Sequence, residues 1–202
     1  MGIGKLQVTV SRGDVSFNAG LTREKEGGID QVVDLAAANE GDLTTRTNDT
    51  SGVVTADSAE HGITDSNTVN VFWDGGMRYG VTVSSVVTTA ITITGGTGDV
   101  LPAQGTSVTI AKQVEIDVDW DGDKTDFLAI CCARRAHVDL QQSGGSSIKA
   151  WEVGPTAPVT WASDTGVTNP VASNTVGKAM ASCGESAGTG RMQIGVVYDS
   201  VV

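Results

Sequence analysis

The sequence predicts an all-β protein, a β-sandwich formed by the N- and C-terminal parts with a small β-barrel-like module in the middle. Three observations lead there. Apolar residues fall at every second position in short runs, as in Leu6-Gln-Val-Thr-Val10 and Val114-Glu-Ile-Asp-Val-Asp-Trp120, which is the period of a pleated strand with one buried face. The 26 glycines, gathered with Asn, Asp and Ser between those runs, supply the tight connections that such strands need. Glycine and β-branched residues also lower helix propensity along the whole chain.

Taken in order, residues 6–10 read as a first strand. Residues 30–38 fit either one helical turn or a strand, and the polar stretch 43–50 reads as a strand edge or loop. A compact unit follows over 52–110. Its strands are expected at 52–56, 69–73, 78–83, 90–94 and 107–110, with turns at Glu60-His61-Gly62-Ile63, Asp74-Gly75-Gly76 and Gly95-Gly96-Thr97-Gly98-Asp99. The last third gives strands at 114–121, 127–131, 136–140, 148–153, 159–161, 176–180 and 192–198, again spaced as in a sandwich. The predicted division is therefore 1–51 with 111–202 as the sandwich, and 52–110 as the small module.

Charge narrows the function. Twenty-four Asp and Glu against 13 Lys and Arg leave a net −11, and a surface that acidic repels a phosphate backbone, so nucleic acid is excluded as a partner. No run of about 18 apolar residues exists, so no membrane span is expected. The first residues carry no apolar leader, and Leu6 stands where a myristoylation signal needs Ser or Thr, so synthesis in a cytoplasm is expected. Cys131, Cys132 and Cys183 are odd in number with two adjacent, which suits reduced thiols better than a disulfide framework. A bridge from Cys183 to one of the pair is the alternative.

Few motifs point to chemistry. Gly184-Glu185-Ser186-Ala187-Gly188 matches the nucleophile elbow by letters, but that elbow needs a strand before it and a helix after it; a hairpin loop is expected instead. His61 lies in a turn and His137 in an alternating strand, neither in the context of a general base. No catalytic residue is assigned. Asp117, Asp119, Asp121 and Asp123, with Gly122, open like a calcium loop, whose ligands alternate before an obligatory glycine. Leu128 occupies the position of the closing bidentate Glu, so a solvated hairpin is the preferred reading, with calcium as the alternative and no other cofactor. Trp73, Trp120, Trp151 and Trp161 are candidates for a sugar-stacking platform, yet each lies in or beside an alternating strand where a core or interface role is commoner. Gly95-Gly96-Thr97-Gly98 is too short for a phosphate loop and reads as a turn.

Two stretches carry a resemblance. Gly52-Val-Val-Thr55 with Glu60-His61-Gly62-Ile63-Thr64 and Val69-Asn-Val71 resembles a small β module of tailed-bacteriophage virion proteins, with its His-Gly-hydrophobic turn. Trp161-Ala-Ser-Asp-Thr-Gly-Val-Thr-Asn-Pro170, Val176 and Ile194-Gly-Val-Val-Tyr-Asp199 are similar to phage and prophage structural proteins. The resemblance implies a virion component and carries over no catalytic residue. The expectation is a capsid decoration (cement) protein, not an enzyme, that acts as a homo-oligomer, a trimer being favoured. Its partners would be itself and other virion proteins such as the major capsid protein, with Trp151 and Trp161 as contact residues. A tail tube or neck protein is the first alternative, with 52–110 sealing adjacent rings, and a carbohydrate-binding host-recognition module is the second.

Overall fold

The computed structural model describes the backbone of residues 4–12, 15–23 and 27–198, with side-chain detail for 28–198. The strands are β1 (Gly4–Arg12), β2 (Val15–Arg23), β3 (Gly27–Leu35), β4 (Asn39–Arg46), β5 (Gly52–Ala56), β6 (Thr68–Trp73), β7 (Gly76–Val87), β8 (Ala90–Thr94), β9 (Thr97–Gly98), β10 (Ser107–Lys112), β11 (Val114–Asp121), β12 (Thr125–Cys132), β13 (Ala136–Gln141), β14 (Ser147–Val153), β15 (Val159–Ala162), β16 (Thr175–Cys183) and β17 (Gly190–Tyr198). Helical geometry among the described residues is confined to two 3-10 turns, Gly122–Lys124 and Ser163–Thr165. The fold is all-β, with a closed six-stranded barrel. The open choice at 30–38 resolves as strand: β3 runs to Leu35 and pairs with β17 along its length.

The chain divides into two compact units. One comprises Met1–Leu35, Glu115–Ala181 and Gly190–Val202, and the other Ala36–Val114 with Ser182–Thr189. The second is the barrel. Its antiparallel order is β4-β5-β8-β7-β6-β10, closed by β10 against β4, with β9 added beside β7. β5 and β8 bury alternate residues, so one face of each fills the lumen and the other is solvated. Leu43, Val54, Val69, Val71, Val81, Val83, Ile91, Ile93, Val108 and Ile110 make that core. Register shifts at Leu43/Thr45, Val69/Val71 and Val83/Ser85 give the strands the extra local bend that closure of a narrow barrel requires.

The barrel therefore starts before the expected 52. β4 is too polar to announce itself, with only Gly41 and Leu43 buried in its length. It is nonetheless the strand that closes the barrel, because it pairs with both β5 and β10. Residues 36–51 and 111–114 consequently belong with the barrel and not with the sandwich.

The first unit contains two four-stranded sheets, β11-β16-β13-β14 and β15-β12-β17-β3. β12 and β13 are buried at almost every position, as strands covered on both faces must be. The alternation in β11 is the opposite case, with Ile116, Val118 and Trp120 buried and Asp117, Asp119 and Asp121 exposed. β1 and β2 form a separate hairpin.

Candidate functional site

The acidic run at the end of β11 becomes a fastening. Asp121 caps the 3-10 turn by accepting from the Asp123 backbone N–H at 3.1 Å. Asp123 Oδ1 in turn accepts from Ser173 N–H at 2.6 Å, and Asn169 Nδ2 donates to the Gly122 carbonyl at 2.8 Å. Gly122 is buried, and a Cβ there would stand 2.0 Å from the Val171 carbonyl oxygen. The glycine is thus required for close approach of the 169–174 loop. Asp117 and Asp119 project from the exposed face of the strand. Among the described residues no three His, Cys, Asp or Glu side chains gather where they could hold a metal ion. β11 and β12 belong to different sheets, so the turn between them is a crossover fastened to the 169–174 loop and not the expected hairpin.

The elbow-like motif lies in the β16–β17 connection, and no helix follows it. The segment Ser182–Thr189 belongs to the barrel unit and is tied to it throughout. Asn70 Nδ2 donates to Ser182 Oγ at 2.7 Å, Thr109 Oγ1 donates to the Gly184 carbonyl at 2.6 Å, and Ala38 N–H donates to the Glu185 carbonyl at 2.9 Å. Ser186 Oγ donates to the Glu40 carboxylate. A Cβ on Gly184 would fall 2.8 Å from the Phe72 ring. The motif is a latch built around an aromatic face.

Neither histidine stands ready as a base for Ser186. In His61, Nδ1 accepts from Ile63 N–H at 3.0 Å, so Nε2 carries the proton and donates to the Thr88 carbonyl at 2.9 Å. Those two bonds use the ring to shape the His-Gly-hydrophobic turn and drop Ile63 into the barrel core. His137 is wholly buried in β13, and desolvation pushes its imidazole down to about 4.

Sequence reasoning missed Arg78, which is only 6% exposed. Its guanidinium donates to the carbonyls of Gly95, Gly96 and Asp99 at 2.5, 2.6 and 2.8 Å. The Gly-Gly-Thr-Gly turn therefore faces a buried cation with its own backbone, and its oxygens rather than its N–H groups point inward. The alternating run around Arg78 was legible, but a buried arginine among apolar residues has no local signature.

The four tryptophans are buried or half-buried in strands. Trp120 is buried and donates from Nε1 to Thr125 Oγ1 at 3.0 Å, and Trp73 packs on the barrel core. Trp151 is half-buried in β14, opposite Val138. Trp161 is 9% exposed and donates to the Val167 carbonyl at 2.9 Å. Beside it lies a pocket of about 200 Å³ lined by Phe127, Thr160, Trp161, Ala162, Thr165 and Val167. Both Trp151 and Trp161 sit on strands at the end of a sheet. All three cysteines are buried and none forms a disulfide. For Cys131, burial pushes the thiol up and so holds it protonated.

No family model, curated protein or solved structure matches this chain.

Proposed function

We propose that the protein is a virion structural component, a decoration protein that binds the outer surface of a phage capsid and stabilises it. The observation that carries this reading is the sandwich with four sheet-end strands, β3, β11, β14 and β15. Edge strands present backbone donors and acceptors to a neighbouring chain, and pairing through them needs no reactive centre. The net −11 supports it too, because like charge suppresses non-specific contacts and leaves association to specific patches. The buried side chains of His61, Arg78, Asn70 and Ser182 are occupied in holding loops and turns. A protein that binds only the assembled shell stabilises that shell by mass action.

Undecorated capsids mixed with the purified protein should retain it through sedimentation and open at higher temperature than bare capsids. Absence of binding, or localisation elsewhere on the particle in micrographs, sinks the reading. A ring-forming tail tube or neck protein is the second reading. Residues 52–110 do not suit the sealing loop it requires, since they belong to a closed barrel with its own core. The β1–β2 hairpin, which shares no backbone ladder with either four-stranded sheet, favours it instead. Stacked rings of the lone protein under negative stain would decide for the tail.

A further inference from the structure

The β1–β2 hairpin pairs with itself from Gly4 opposite Arg23 to Arg12 opposite Val15. It shares no backbone ladder with either four-stranded sheet. A lone two-stranded hairpin is marginal in water and needs an apolar surface to lie on. The register sets Leu6 opposite Leu21, Val8 opposite Ala19 and Val10 opposite Phe17, so the apolar residues of both strands occupy the same alternate positions. The backbone of β1 runs beside β12, β17 and β3.

That sheet has a surplus apolar face. Leu128 and Ile130 alternate with Phe127, Ala129 and Cys131 along β12, and both sets are buried. Leu128 and Ile130 pair across to Val196 and Ile194, while Phe127 pairs with Val197. Phe127, Ala129, Cys131 and Val197 form a cluster of their own, 4% to 7% exposed, with Ala162 packed on it. At Phe127 and Ala162 this seat runs on into the pocket beside Trp161, which leaves about 200 Å³ unfilled at its margin.

We propose that the N-terminal hairpin is an exchangeable arm, seating on the Phe127–Val197 face of a second copy of this chain. Each copy carries both the arm and the seat, so the contacts made within one chain and between two are the same. With no ladder bonds to break, exchange costs only the transient exposure of the two apolar surfaces. The connector is Glu24-Lys25-Glu26 followed by Gly27-Gly28. So short a tether gives an effective concentration of about millimolar, which favours the arm's own seat in dilute solution and exchange when copies are crowded. The inference rests on the hairpin and its seat, not on the virion reading, and stands or falls separately.

The full chain should shift from monomer to dimer or larger species as its concentration rises from micromolar toward millimolar in sedimentation velocity. Deleting Glu24–Glu26 would let β2 run straight into β3 and carry the hairpin away from its own sheet. That variant should be dimeric or larger even when dilute, with Cys131 still protected from alkylation as mapped by mass spectrometry. A monomer with protected Cys131 shows an arm that stays home, and a monomer with reactive Cys131 shows one that finds no second seat; either overturns the proposal. Should the deletion not fold, a labelled peptide of residues 1–26 tests the unaltered chain. Saturable binding of one peptide per chain supports exchange, and no binding at millimolar peptide overturns it.

Discussion

Arg78 buries a charge whose three guanidinium hydrogen bonds all go to backbone carbonyls of residues 95–99. Bonds from a charged donor contribute about 1.5–3 kcal/mol each in favourable settings, and partial rehydration of the loop carbonyls offsets part of their loss. Arg78→Met, close in volume, should therefore lower stability by about 2–4 kcal/mol in urea unfolding. His137 makes a prediction in pH. Its folded value lies near 4 against about 6.5 in an unfolded chain. Between these values the unfolded state binds the extra proton, so this contribution is complete above about pH 6.5 and is lost as pH falls toward 4. The loss by pH 4 should reach about 3 kcal/mol. His137→Gln should flatten that part of the urea-midpoint profile between about pH 7 and about pH 4; an unchanged slope would refute the assignment.

Among elements, the 182–189 latch separates a structural from a chemical reading of one motif. Gly184→Ala drives a methyl into the Phe72 ring and should cost about 1–3 kcal/mol by thermal unfolding. Ser186→Ala loses a single exposed bond to Glu40 and should cost about 1 kcal/mol or less. If Ser186 is instead labelled by a fluorophosphonate, the latch reading fails. Strand periodicity was legible wherever one face was buried and the other wet, as in β5, β8 and β11. β2 carries the same alternation in Val15, Phe17, Ala19 and Leu21, though it was not read as a strand. β4 was illegible for a physical reason: a barrel strand with two inward residues, one of them glycine, has almost no period to detect.

For the whole molecule, the unit boundaries make the sharpest test. The fragment 52–110 lacks β4 and so leaves β5 and β10 each short of a partner. It should be unfolded, whereas 36–114 contains all six barrel strands and should give a dispersed amide spectrum. Leu43→Ala, which empties a fully buried position of the barrel core, should cost about 2–5 kcal/mol in the full chain. Calcium should leave the melting temperature unchanged, since Asp121 and Asp123 already cap backbone N–H groups and Asp117 and Asp119 point outward from a strand.

What the sequence determined alone was the all-β class, the sandwich with a central barrel-like module, and turns such as Asp74-Gly75. Those follow from period-two burial and local φ preferences, which are written within a few neighbouring residues. In the Gly95–Asp99 stretch, expected as a turn, Thr97–Gly98 pairs with β7 as β9. Only the tertiary structure decided where the barrel closes, which loop the aspartates fasten and why Arg78 is buried. Each of those depends on partners between 17 and 71 residues apart, and no local pattern records a contact whose other half lies so far along the chain.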